Sequence, residues 1–175
     1  MSANAAPQQA GPEREFGRMI QLDMDVTAFL SNWMNCDYIS NYVARAISHN
    51  RPDSVLFSNL FSSAFNELLE VAFRTRHPGG VIACKVSRHA HIDRIELAFA
   101  CTSEERQFYE KAILQAQSAD AQERYLNSLS GDTAPSRDMV LLELAVDYEA
   151  ALWLESSGED RIVLMVDLPL GGSAH

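Results

Sequence analysis

Phe65-Asn66-Glu67-Leu68-Leu69-Glu70-Val71-Ala72 is the stretch from which the rest of the chain can be read. At about 3.6 residues per turn, Phe57, Phe61, Ala64, Leu68 and Ala72 fall on one stripe of a helix. Leu60 and Val71 flank the stripe on one side and Phe65 on the other. Glu67 lies just beyond Leu60 and Val71, where core meets solvent. A carboxyl at such a margin is half-desolvated, which raises its pKa and suits it to proton transfer. The plainer alternative is a solvated glutamate on a polar face.

Before this helix, Ile20, Leu22, Met24 and Val26 alternate with Gln21, Asp23 and Asp25, the pattern of a half-buried strand. Phe29, Leu30, Trp33 and Met34 recur at helical spacing, and Tyr38, Ile39, Tyr42, Val43, Ala46 and Ile47 do so again, with Asp37 as an expected N-cap. His49 to Pro52 breaks that pattern. Asp53 or Ser54 can cap the long helix, which should run to about Arg76. His77-Pro78-Gly79-Gly80 then forms a hard stop.

After the stop, Ile82, Cys84 and Val86 mark one strand, and Ile95, Leu97, Phe99 and Cys101 mark the next. Residues 88–92 should form the turn between them. Thr102 and Glu105 have the capping-box form and open a helix carrying Phe108, Tyr109, Ala112, Ile113 and Ala116. A shorter helix around Tyr125, Leu126 and Leu129 follows, then a loop over 130–136. Met139, Leu142, Leu144, Ala145 and Tyr148 belong to a further, well-buried helix. Leu152 and Leu154 begin a strand, 156–160 turns, and Ile162 to Leu168 alternate until Pro169. Strands and helices come in blocks, so the expected fold is α+β: a two-layer sandwich of about five strands with helices on one face. No internal repeat occurs.

The bulk numbers set limits. A chain of 175 residues with 47% hydrophobic content suits one domain with a real core. A net charge of −10 and a pI near 4.8 argue against nucleic acid and against electrostatic attachment to anionic membrane. The three cysteines, Cys36, Cys84 and Cys101, are widely spaced and odd in number, as expected of free thiols in a cytoplasmic protein. Cys84 and Cys101 read as buried and inert. Cys36, ahead of a helix, is a weak nucleophile candidate. Residues 1–15 read as a disordered tail, 16–170 as a single domain and 171–175 as a frayed end. His89 and His91 could chelate a metal with Asp93 or His77, but a polar turn explains them more simply and no metal site is expected. No G-x-S-x-G, P-loop or G-x-G-x-x-G occurs to support hydrolase or Rossmann chemistry.

The segment Asn66-Glu67-Leu68-Leu69-Glu70 resembles the N-box helix of the GHKL superfamily, the ATP-binding fold of histidine kinases and anti-sigma-factor serine kinases. The order of elements from about residue 18 to 168 is similar too. The chain looks closest to small bacterial regulators of the SiaB-type protein kinase branch, through Asp37-Tyr38-Ile39-Ser40-Asn41-Tyr42, the N-E-L-L-E core and Asp147-Tyr148. The resemblance implies a GHKL-type sandwich with Glu67 as general base, and Asn66, Glu70, Val71 and Arg74 at the cofactor-binding positions of the N-box. It also implies a homodimer by the habit of the superfamily. Three departures stand against nucleotide chemistry. Val71 replaces the asparagine whose carbonyl would bind magnesium. Phe99-Ala100-Cys101-Thr102-Ser103 replaces an Asp-x-Gly-x-Gly loop. Pro135-Ser136-Arg137-Asp138-Met139 has no glycine where phosphates would approach backbone. Arg74 could meet a phosphate or pair with Glu67 or Glu70 on its own helix.

The expectation is therefore a bacterial cytoplasmic signalling regulator that kept this scaffold. It would act by partner-switching contact with an anti-sigma antagonist or STAS-like protein, with lost or weak ATP binding and no cofactor. One alternative is an active, unconventional ATP-dependent serine kinase using Mg-ATP, with Glu67 as base and Glu70 or Asn66 replacing the metal ligand. The other is a small-molecule sensor using the vacated nucleotide pocket. Trp33, Met34, Tyr38 and Tyr42 are most simply core residues; exposed, they would form a partner-binding patch.

Overall fold

The protein is described by a computed structural model covering residues 15–30, 32–74, 80–131 and 136–171. Eleven elements follow one another: β1 (Gly17–Asp25), α1 (Val26–Leu30), α2 (Met34–Ser48), α3 (Ser54–Arg74), β2 (Val81–His89), β3 (Ile92–Ala100), α4 (Ser103–Ala116), α5 (Ala121–Leu129), α6 (Arg137–Asp147), β4 (Ala151–Ser156) and β5 (Arg161–Leu168). Of the expected tails at 1–15 and 171–175, residues 1–14 and 172–175 lie outside the described residues, as does His77-Pro78-Gly79 of the stop; Gly171, expected to fray, is instead bonded to the hairpin tip.

The five strands form one antiparallel sheet in the order β1-β2-β3-β5-β4. Its register explains the alternation in sequence. Leu22, Cys84, Leu97, Leu164 and Leu154 lie side by side across all five strands, on the face that packs into the core. One residue earlier or later in each strand, Gln21, Lys85, Glu96, Met165 and Trp153 form a row on the opposite face, where Lys85 and Glu96 pair at 2.7 Å. A one-residue slip would exchange the two rows, so burial of the first specifies the register.

Residues from all six helices join the inner-face strand residues in one core. The α+β class and the layering of helices on one sheet face thus agree with the sequence pattern. The long helix α3 supplies the largest share. Phe57, Phe61, Ala64, Leu68 and Ala72 are buried as their spacing predicts, and Phe65, Leu69, Val71 and Phe73 are buried beside them. Each large side chain so buried stabilises the fold by roughly 1.5–3 kcal/mol. Leu60, expected on the flank of the stripe, is exposed. Phe61 stands between Phe57 and Phe65 at ring distances of 5.8 and 5.6 Å, and Phe73 stacks on Phe29 of α1 at 4.2 Å.

Local chemistry places the element ends. Both bonds of the capping box are made: Glu105 N–H donates to the Thr102 hydroxyl, and Thr102 N–H donates to the Glu105 carboxylate. The β2–β3 turn is only Ala90-His91, shorter than expected, because both strands extend beyond the clear alternation. Ala90 takes a positive φ of 52° there, a conformation that costs a side chain energy but closes a two-residue hairpin. Gly171 returns to this tip, donating its N–H to the His91 carbonyl at 3.1 Å. A Cβ at 171 would meet the His91 backbone at 3.0 Å, so the approach requires glycine.

Three expectations are corrected. Asp37 is not an N-cap: α2 already begins at Met34, the Asn32 side chain accepts the Met34 N–H, and Asp37 sits within the first turn. Leu126 and Leu129 of α5 are exposed, and Ala121 and Tyr125 hold that helix to the core. Cys36 is wholly buried, and burial pushes its thiol up to about 12, the reverse of an activated nucleophile. Among the described residues no helix is long and apolar enough to cross a membrane.

Candidate functional site

Helix α3 carries all five N-box residues singled out in the sequence; at about 100° per residue, Asn66, Glu67, Glu70 and Arg74 share one broad outward side, and Val71 is buried. Asn66, Glu70 and Arg74, four residues apart, form a ladder. The Asn66 amide donates to one Glu70 oxygen at 3.1 Å, and the Arg74 guanidinium donates to the other at 3.0 Å. Arg74 also lies over the Trp33 ring at 5.5 Å, towards α2. Arg74 thus takes the intrahelical partner that its spacing allowed. Both Glu70 oxygens are engaged, which leaves this carboxylate committed to the helix surface.

Glu67 lies beside this ladder on the side of α3 towards α6, close to both Glu70 and Glu143. It is half-buried. Burial is the main cause that raises its pKa, followed by the Glu70 and Glu143 carboxylates, with Arg74 opposing. Glu143 of α6 is itself shifted up by burial and by Asp147 one turn later. The Tyr148 phenol is raised by burial and by Glu143, Glu67 and Asp147. From α5, Tyr125 donates its hydroxyl to Asp147. The result is a seam of three carboxylates and two phenols contributed by three helices. Glu143 and Tyr125 were not identified from sequence as site residues, and Asp147 entered only with Tyr148 as part of the family resemblance. The four-residue spacing of Glu143 and Asp147 was a further signal, but it says nothing about which helix they face.

Both seam glutamates hold protons to higher pH in the folded chain than in the unfolded one. The fold therefore binds more protons than the unfolded state, so their contribution favours folding as pH falls towards 5 and is lost as pH rises through the folded pKa values. Glu67→Gln should raise the melting temperature by about 1–2 °C at pH 8, a gain of ~0.5 kcal/mol after allowance for solvent screening of a half-exposed group. The gain should disappear near pH 4.5. Thermal unfolding of both proteins across this range checks it, and a gain that grew at acid pH would contradict it.

Val71, at the position where a metal-binding carbonyl would be needed, is 1% exposed and belongs to the core. A cleft opens where three helix ends meet. The end of α3, the start of α4 and the start of α6 bring Arg74, Glu104, Glu105, Phe108 and Arg137 around a cleft of about 300 Å³. Glu67 and Val71 are not among the residues lining it. Arg137 donates to the Arg74 carbonyl at 3.4 Å, and Glu105 is held by the Thr102 cap. The cleft holds two carboxylates beside two guanidinium groups, and the position to which the N-box resemblance assigns a magnesium ligand is a buried valine.

The hairpin-tip histidines do not assemble a metal site with Asp93. His89 packs against Phe16 and meets the Glu15 carbonyl at 3.0 Å, while Asp93 is buried against Arg88. His77 lies outside the described residues. Among the described residues no group of three or more metal-ligating side chains is gathered.

A second feature lies on α2. Trp33, Met34, Tyr38 and Tyr42, most simply read as core, are 42, 58, 59 and 63% exposed. The inward side of α2 is filled instead by Cys36, Ser40, Val43, Ala44 and Ile47.

Comparison with protein-family models, with curated proteins and with solved structures returned no match.

Proposed function

We propose that the chain is a signalling regulator built on a histidine kinase-like ATPase scaffold, acting by protein–protein contact without nucleotide turnover. The observation that carries this reading is the fate of α3. The position that the resemblance assigns to a metal ligand is a core valine, the Asn66-Glu70-Arg74 side chains bond one another, and Glu67 lies beside them among further carboxylates. A general base without a metal or phosphate cradle beside it has nothing to activate. The order of elements supports the scaffold. On this reading the partner is a STAS-like protein or an anti-sigma antagonist, and the setting is a bacterial cytoplasm.

Titration calorimetry with Mg-ATP should give no binding tighter than about 1 mM. A micromolar dissociation constant would overturn the proposal in favour of an unconventional serine kinase. The cleft lined by Arg74 and Arg137 favours a second reading, a small-molecule sensor. A metabolite screen by thermal shift separates the two: a ligand whose effect is lost in Arg137→Ala supports the sensor.

A further inference from the structure

The exposed face of α2 has a composition that is complementary to itself. Met34, Tyr38 and Tyr42 follow one another at four-residue intervals, while Trp33 turns towards Arg74 of α3. Three large side chains, each more than half exposed, amount to a patch of roughly 400 Å², within the size range that marks interaction sites on monomers. Two opposite charges frame it, Asp37 and Arg45, both exposed. Neither takes part in an ion pair among the described residues. Arg51, Arg74, Arg88, Arg94 and Arg124, by contrast, each hold a carboxylate.

We propose that this face binds a second copy of the chain, α2 packing antiparallel on α2 across a two-fold axis near Asn41. A two-fold contact uses the same patch twice, so each feature must find its complement in that patch. Residue 37 precedes position 41 by as much as residue 45 follows it. The axis therefore sets Asp37 of each copy against Arg45 of the other, making two ion pairs from four unpaired charges. Tyr38 of one copy packs beside Tyr42 of the other at the centre, and the exposed, small Ala46 leaves room for Met34 at each end. Two such patches with their rims bury on the order of 1,000 Å², at the lower end of specific interfaces. An interface of this size suits a reversible dimer rather than a permanent one. The inference rests on the reading of the chain as a contact regulator and assigns the occupant of its α2 face.

Sedimentation of the whole chain tests it. At about 100 μM the protein should sediment at twice its monomer mass of 19.5 kDa and dissociate on dilution. Tyr38→Ser with Tyr42→Ser should leave a folded monomer, since both side chains are exposed. Asp37→Arg alone and Arg45→Asp alone should each weaken the dimer by about 10–100-fold, because each sets like charges together twice. An equimolar mixture of these two variants should recover the dimer, since every contact in the mixed pair is again attractive. A wild-type chain that stays monomeric overturns the proposal, as does a tyrosine double variant that stays dimeric. So does a charge-variant mixture that fails to associate. Circular dichroism of each variant separates loss of fold from loss of contact. A monomer that also ignores Mg-ATP removes the dimer and leaves the regulator reading intact; tight Mg-ATP binding by a dimer does the opposite.

Discussion

Val71→Asn is expected to destabilise the protein by about 3 kcal/mol and to confer no affinity for Mg-ATP. In sequence the change looks like a repair, since asparagine belongs at this position of an N-box. The structure makes it an insertion of an amide into a site that is 1% exposed and surrounded by core. The substitution loses the transfer energy of the valine side chain, roughly 1.5 kcal/mol, and adds an unsatisfied polar group of comparable cost. Chemical denaturation should show the midpoint falling, and calorimetry should show no heat from Mg-ATP. A variant as stable as wild type that binds nucleotide would mean that α3 can rotate this position into a cleft, and the proposed loss of nucleotide chemistry would fail.

Asp93→Ala is expected to cost about 3–5 kcal/mol, enough to lower the melting temperature by roughly 10–15 °C. Asp93 is 0% exposed on the core face of β3, and burial pushes its carboxyl up against the pull of Arg88. Arg88 reaches it from β2 at 2.7 Å and also donates to the Ile47 carbonyl at the end of α2, with its guanidinium 5.1 Å from the Phe57 ring centre. The pair thus ties the hairpin to both α2 and α3. Removing the acid leaves a guanidinium in the interior with no counter-charge in contact. Asp93→Leu combined with Arg88→Met should recover most of the loss, because Asp93 Oδ2 and one Arg88 nitrogen already lack a protein partner. A loss below about 1 kcal/mol for the single variant would show the pair to be energetically idle.

Asp93 also shows where pattern reading reached its limit. Alternation in β3 assigned Ile95, Leu97 and Phe99 to the inner face, and the same alternation assigns Asp93 to it. Periodicity gives direction but not the partner that makes a charge tolerable there, and Arg88 lies on another strand. Tyr38 and Tyr42 failed for a related reason. Their spacing belongs to an amphipathic helix, but α2 has two faces with apolar residues, and the choice between them depends on what α3 and the sheet offer. Leu126 and Leu129 were misplaced in the same way on α5.

Two kinds of information therefore separate in this protein. The alternating strand faces, the α3 core stripe, the Thr102–Glu105 cap and the α+β class follow from the chain alone, because each depends on side-chain periodicity or on bonds between residues a few positions apart. The α2 face left open, the burial of Val71, the acidic seam between α3 and α6, and the Arg88–Asp93 pair were decided only by tertiary packing. Each depends on groups far apart in the chain that meet after the core has formed, and only then is it settled whether a given charge or aromatic ring is left in water, paired or enclosed.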